Sequence, residues 1–399
     1  MKIALVSQEY PPETAHGGIA TQTYMRAHGL TSLGHEVYVV SHSIDNNKHE
    51  YMDGSVHVTR IPGCYNRLRI YSEAVQWLTY STEVAVAISN ISLGTPLDLV
   101  VFPEYGGEGY IHLINQTDSN HIPSVVHIHG PLVMFANTMN WPEKNSEFYR
   151  VGSMMESTCL RLANAISASN KCSAKWCADA YGFEQSKMQV LYTGIDTSHF
   201  YPRAIPKAIH PTIIFVGSVR RTKGVHLLLE AACILAKDFP NLKVKIIGNG
   251  DPSILKELKV ITAQAGVPEL LSLPGHIGRD ELPYHLSDAN FFAAPSVYEG
   301  GPGNVYLEAM ACGIPVIACS GSGIDGIVTN MENGFLISPN NLSELIQAMR
   351  TLLENKNLCE ALGKNARDYV LKEADSRQCM RKLENFYQSV STKSFLKTS

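Results

Sequence analysis

Short apolar runs of strand length, each followed by a stretch with helical spacing, recur from the first residue onward, and this alternation constrains the fold most. KIALVS (2–7) reads as a buried strand, 21–33 as a helix, and HEVYVVS (35–41) as the next strand. DLVVF (98–102), SVVHIH (124–129) and NAISAS (164–169) continue the series. Strand, helix, strand in sequence predicts α/β architecture with a parallel sheet covered on both faces. Near residue 200 the pattern breaks. FYPRAIPKAIHPT (200–212) carries three prolines without apolar periodicity and reads as a linker. TIIFVGS (212–218) then opens a second series with KVKIIGNG (243–250), NFFAAPS (290–296) and IPVIACS (314–320). Helical spacing resumes at 343, with Asn341 or Ser343 as its cap. The expected organisation is two doubly wound, Rossmann-like domains, 1–204 and 205–377, with a final helix at 378–399 packing back on the first. Ligands of such sheets bind beyond the carboxyl ends of the strands, and two facing domains direct attention to the cleft between them.

Composition removes several alternatives. With 399 residues, 45% apolar and 18% charged, the chain has the makings of two globular cores and is not disordered. A net charge of -4 argues against a general nucleic-acid binder. No apolar run approaches the ~18 residues of a membrane span. MKIALVS is too short for a signal-peptide core, so a cytoplasmic location is expected. Arg60, Arg67 and Arg69 flank IYSEAVQWLTY (70–80), which reads as an amphipathic helix for peripheral membrane contact or, more commonly, as a half-buried helix with snorkelling arginines.

Two loops suit phosphate. FVGSVRRTKGVHLLLEA (215–231) places Ser218, Arg220, Arg221 and Lys223 between a strand and a helix N-terminus, where amides and cations converge on an anion. Gly17 and Gly18 lie just before the first helix, after EYPPETAH, and let backbone approach a ligand closely. A dinucleotide site would want GxGxxG here with an acid ending the next strand; the chain has HGGIAT and Ser41, and it lacks a Walker A loop. In YEGGPGNVYLEAMACGIPVIA (298–318), Glu299 follows a strand, GGPG exposes amides, and Glu308 sits about one turn into the helix. A carboxylate there accepts both hydrogens of a vicinal diol, and phosphate with two diols outlines a nucleotide-sugar. The plainer alternative is a glutamate complementing the helix dipole.

The order EYPPETAHGG, LGHEVYVVS, VVHIHG, VLYTGIDTSHFYP, FVGSVRRTKGVHLLLEA, PGHIGRDELPYHLSDANFFAAPSVYEGGPGNVYLEAMACGIPVIA and NGFLISP resembles retaining GT-B glycosyltransferases of family 4 over nearly the whole chain. The resemblance implies an acceptor-binding first domain and a nucleotide-sugar-binding second domain. Lys223 then matches the diphosphate-binding lysine, Glu308 the glutamate on the ribose, and Glu299 the one near the sugar hydroxyls. The amides of Gly301 and of Gly303, Asn304 and Val305 face sugar and diphosphate. Gly18 lies against the diphosphate, His129 near the transferred sugar, and His276 and Ile277 beside the base. Catalysis is thereby expected of His129, Glu299 and Lys223. Three positions depart from the family. Eight residues separate Glu299 from Glu308 instead of seven, Ser218 replaces an arginine, and Thr193 replaces asparagine in TGID. Either Arg220 or Arg221 is expected to supply the missing cation.

The implied reaction moves a hexose from a UDP- or GDP-sugar to a glycan, lipid-linked or small-molecule acceptor with retention of configuration. No DxD is present, so no cofactor and no metal are expected. Front-face attack, with the acceptor proton passing to the leaving phosphate, is favoured over a double displacement through Glu299. Two readings compete: a nucleotide-sugar 2-epimerase on the same fold, and a binding protein without turnover. His127 and His129 share a strand face, but no third metal ligand is identifiable.

Overall fold

The computed structural model describes residues 1–14, 18–63, 72–205, 208–299 and 303–395. Contacts divide the chain into two compact units, Met1–Thr193 with Cys379–Ser399, and Gly194–Gln378.

The first unit is built on β1 (Lys2–Val6), β2 (Glu36–Ser43), β3 (His49–Asp53), β4 (Val56–Pro62), β5 (Leu99–Pro103), β6 (Ser124–Ile128), β7 (Ala165–Ala168) and β8 (Met188–Val190). Its strand order is β3-β4-β2-β1-β5-β6-β7-β8, parallel throughout except for β3 against β4. Helices α1 (Gly18–Ser32), α2 (Glu73–Gly94), α3 (Tyr110–Ile114), α4 (Leu132–Thr138), α5 (Glu147–Leu162) and α6 (Lys171–Tyr181) accompany it. The continuous apolar runs of β1 and β5 follow from burial on both faces. Successive side chains point oppositely, so Ala4 and Val6 join one core with Val84 and Ile88 of α2. Ile3 and Leu5 join the other with Ala27 and Leu30 of α1.

The β3–β4 hairpin was not expected from the apolar pattern, because HEYMD is largely polar and exposed. Its signal is local: Gly54-Ser55 forms the two-residue loop between Asp53 and Val56, and Gly54 at φ 59° in its first position turns the chain in the way a tight hairpin requires. Arg60 of β4 differs from expectation more sharply. It is fully buried and does not flank a surface helix. Its guanidinium donates to the carbonyls of Tyr10 (2.9 Å) and Pro11 (3.1 Å) and to the hydroxyls of Ser41 (3.0 Å) and Thr14 (3.1 Å). Arg67 and Arg69 lie outside the described residues.

The second unit carries β9 (Thr212–Val216), β10 (Lys243–Ile247), β11 (Leu271–Gly275), β12 (Phe291–Ala294), β13 (Val316–Cys319) and β14 (Gly334–Ile337) in the all-parallel order β11-β10-β9-β12-β13-β14. Its helices are α7 (Val225–Leu235), α8 (Pro252–Gln264), α9 (Leu282–Asp288), α10 (Asn304–Ala311), α11 (Leu342–Glu354) and α12 (Lys356–Tyr369). Asn341 is the cap of α11, its side chain accepting from the Glu344 amide at 3.1 Å. Each sheet has one place where strand order reverses, between β1 and β5 and between β9 and β12. These are the points at which loops leave toward opposite faces and open a crevice.

The last helix, α13 (Ser376–Phe395), contributes Met380, Leu383, Tyr387 and Val390 to the core that holds Ile3, Leu5 and Leu30. Gly29 of α1 permits this packing, since a Cβ there would meet Met380 Cγ at 2.6 Å. Upstream of α13, Ile195 pairs with 374–376 through Ile195 N–Ala374 O (2.8 Å) and Ser376 N–Ile195 O (2.9 Å). Leu383→Ala, at a side chain 1% exposed, is therefore expected to cost roughly 2–5 kcal/mol. Urea unfolding reads this as a lower midpoint at unchanged slope; an unshifted midpoint would show that α13 is not part of that core.

Candidate functional site

In the second unit the loop after β9 is shaped by a backbone contact. Gly224, at φ 71°, caps α7, and a Cβ on it would stand 2.2 Å from the Pro295 carbonyl oxygen. Only glycine lets the start of α7 lie this close to the chain leaving β12. The two loops are stitched further by Val297 N–Thr222 O (3.3 Å) and Ser296 Oγ–Thr222 O (3.4 Å). As a result Lys223 reaches across the strand-order reversal. Its Nζ lies 2.6 Å from Glu299 Oε2 and 3.4 Å from the Tyr298 carbonyl. The pair is largely sheltered, with Lys223 26% and Glu299 11% exposed. Ser218 is exposed on the same loop. Arg221 is engaged elsewhere, pairing with Glu257 of α8, whereas exposed Arg220 has no ion-pair partner among the described residues.

Glu299 is anchored by its amide to Ser322 O at 2.6 Å. Gly301 lies outside the described residues. Gly303, at φ 61°, starts α10, where a Cβ would meet Ile324 Cδ1 at 2.8 Å and Tyr306 Cδ2 at 2.9 Å. Asn304 and Val305 are half-buried in the first turn. Asn304 Oδ1 is buried with no hydrogen-bond partner among the described residues. Four residues on, and thus on the same helix face, lies buried Glu308. Burial pushes the Glu308 carboxyl up to about 7, against the opposing pull of Arg279. Arg279 Nη1 stands 3.6 Å from Glu308 Oε1, and its guanidinium covers the Phe200 ring at 5.0 Å. Arg279 comes from the loop after β11 that also carries exposed His276 and half-buried Ile277. Sequence reasoning missed Arg279; its only signal is its place two residues beyond Ile277.

In the first unit, Gly18 opens α1, and a Cβ there would project into open space. His129, just past β6, is 6% exposed. Its amide and that of Gly130 donate to Glu104 at 2.7 and 2.5 Å. Glu108 accepts from the Gln8 amide at 3.2 Å, joining the loops after β1 and β5. Glu156 of α5 accepts from Leu132 N (3.1 Å) and Tyr181 OH (2.6 Å). Burial raises these carboxyls, Glu104 to about 7 and Glu108 to about 8, while the amide donors pull the other way. Glu104, Glu108 and Glu156 were also missed; only the first two share a short stretch, EYGGE after β5, and the backbone groups that all three bind are distant in sequence. His127 and His129 do adjoin, with ring centroids 4.7 Å apart. His127 Nε2 faces Arg26 Nη2 at 2.7 Å.

Two family models match the chain: "Glycosyltransferase Family 4" over residues 16–199 and "Glycosyl transferases group 1" over residues 204–369. An uncharacterized glycosyltransferase of Methanocaldococcus jannaschii is 25% identical over 97% of this chain and 98% of its own length. Sucrose-phosphate synthase from Thermosynechococcus elongatus superposes with a TM-score of 0.80 at 21% identity, covering 98% of this chain and 99% of that one. HepE of Anabaena, solved in complex with UDP, superposes with a TM-score of 0.74 at 19% identity, covering 98% and 100%. Among the described residues, no helix is long and apolar enough to cross a membrane. With one model matching each half and the GT-B fold shared end to end, the chain is a glycosyltransferase of GT-B type.

Proposed function

We propose that the protein transfers a hexose from a UDP- or GDP-sugar, with retention and without a metal, to a hydroxyl of a glycan, lipid-linked or small-molecule acceptor. The observation that carries this reading is the Lys223–Glu299 pair at the β9/β12 reversal, beside the glycine-started helix that presents Glu308. Lys223 and Arg220, which has no ion-pair partner among the described residues, supply positive charge for the diphosphate, together with the amides of Gly303, Asn304 and Val305. Glu308 takes the ribose diol, and His276 and Ile277 flank the base. In the first unit, Gly18 is assigned to the diphosphate and His129 to the transferred sugar.

As the glycosidic bond breaks, negative charge grows on the leaving diphosphate, where fixed cations and amide dipoles stabilise it more than they stabilise the ground state. The acceptor oxygen attacks from the face the diphosphate is leaving, and its proton passes to the departing phosphate oxygen. Glu299 is a poor nucleophile while Lys223 lies 2.6 Å from its carboxylate. Its assigned role is to orient sugar hydroxyls, so retention follows from front-face attack and not from a covalent intermediate.

Thermal melts against UDP-, GDP-, ADP- and TDP-sugars, with a chelator present, test the donor. The neighbour's bound UDP places UDP-sugars first in that panel. A true donor at 100 times its Kd should stabilise the protein by about 2.7 kcal/mol. That shift should shrink in both Lys223→Ala and Glu308→Ala at the same donor concentration; no shift with any nucleotide-sugar would overturn the assignment.

A second expectation concerns pH. The Glu308 carboxyl, raised to about 7 by burial, must give up its proton to accept two ribose hydroxyls. Donor affinity should therefore rise as pH increases toward about 7, by up to tenfold per unit well below it, and level off above. Titration calorimetry should show this slope in the wild type and lose it in Glu308→Gln. An identical slope in the variant would exclude Glu308 as its source.

A further inference from the structure

Arg26, on α1, is 4% exposed, and no carboxylate among the described residues pairs with it. A buried guanidinium without a counter-ion is costly, so its hydrogen bonds are informative. They run to His127 Nε2 at 2.7 Å and Gln22 Oε1 at 3.4 Å. Arginine has only N–H donors and does not deprotonate in proteins. His127 Nε2 must therefore be the bare nitrogen, and the ring proton sits on Nδ1, which donates to Ser167 Oγ at 2.8 Å.

Ser169 carries the consequence onward. Its Oγ lies 2.9 Å from His127 Nε2, 3.3 Å from Gln22 Oε1 and 3.4 Å from His129 Nδ1. The single lone pair of Nε2 is taken by the shorter, charge-assisted bond from Arg26. Gln22 Oε1 already faces Arg26 and the Thr193 hydroxyl. His129 Nδ1 is the acceptor left for the Ser169 proton.

We infer that Arg26 is a positioning residue which, through His127 and Ser169, holds His129 neutral with its proton on Nε2. His129 then presents an N–H donor, suited to a sugar hydroxyl or phosphate oxygen, and no base competes with the leaving phosphate for the acceptor proton. Burial first and the Arg26 charge second hold both histidines well below the usual imidazole range. The other titratable groups packed here are Glu104, bonded to the His129 amide, and Tyr387 of α13, facing Arg26. The catalytic consequence rests on the proposed assignment of His129 to the sugar, but the proton's location does not.

Long-range 1H–15N correlation spectra of 15N-histidine-labelled, full-length protein without donor read each ring's tautomer directly, with assignments from His127→Gln and His129→Gln. The expected spectrum has a protonated Nδ1 on His127 and a protonated Nε2 on His129, both unchanged between about pH 5.5 and 8. Ser169→Ala removes one hydroxyl and should release His129 into a tautomer mixture while His127 keeps its form. Arg26→Gln should release both, whereas Arg26→Lys, which retains a cationic donor, should keep the His127 pattern. A proton on His129 Nδ1, a doubly protonated His129 near pH 6.5, or a His129 spectrum untouched by Ser169→Ala would overturn the inference. Failure of every nucleotide-sugar to bind would leave this spectrum unaffected, so the two accounts fail separately.

Discussion

The backbone approach at residue 224 is what the donor site of the second unit depends on. A left-handed residue with no side chain lets the helix start lie against the chain leaving β12, with Pro295 O 2.2 Å from where a Cβ would be. Any L side chain there would both strain the backbone and collide with a carbonyl. From that contact follow the position of Lys223, its reach to Glu299, and the opening of the strand-order reversal toward the first turn of α10. The same device recurs one strand away. A Cβ on Gly248 would stand 1.9 Å from Gly217 O, so the loops after β9 and β10 also close on glycine. The site is thus assembled from backbone complementarity first, and the charged side chains are placed by it.

The first unit solves a related problem with buried ionisable side chains. Its loops at the carboxyl ends of the strands are tied down by Arg60 from one side and by Glu104, Glu108 and Glu156 from the other. Each group takes backbone donors or acceptors that would otherwise be unmade in a region shielded from water. Their polarity contrasts with the apolar faces a few residues earlier on the same strands. That gradient, apolar along the strand and densely hydrogen-bonded at its end, is what a rigid platform for a polar ligand requires.

Much of the architecture was legible because parallel strands buried on both faces are continuous apolar runs, as LVVFP of β5 shows with every residue buried. Half-exposed strands such as β3 and β11 carry no such run, and only local turn chemistry marks the former. The motif residues Lys223, Glu299 and Glu308 could be proposed because each sits beside a glycine-bearing strand-to-helix turn. Arg279, Glu104, Glu156 and Arg26 could not, since their meaning comes from partners distant in sequence: Arg26 meets His127 across 101 positions. Arg60 misled for the same reason. Its neighbours in sequence suggested a surface, whereas its bonds reach back to Tyr10 and Pro11.

The central claim is a division of labour, with Lys223 answering to the diphosphate and Glu308 to the ribose. Titration calorimetry of a nucleoside, its monophosphate and its diphosphate against wild type, Lys223→Ala and Glu308→Ala separates the two directly. The account predicts that Lys223→Ala erases the affinity gained on going from nucleoside to diphosphate while leaving nucleoside binding intact. Glu308→Ala should weaken all three ligands by a common factor. Equal losses across the three ligands in both variants, or a full diphosphate increment in Lys223→Ala, would contradict it.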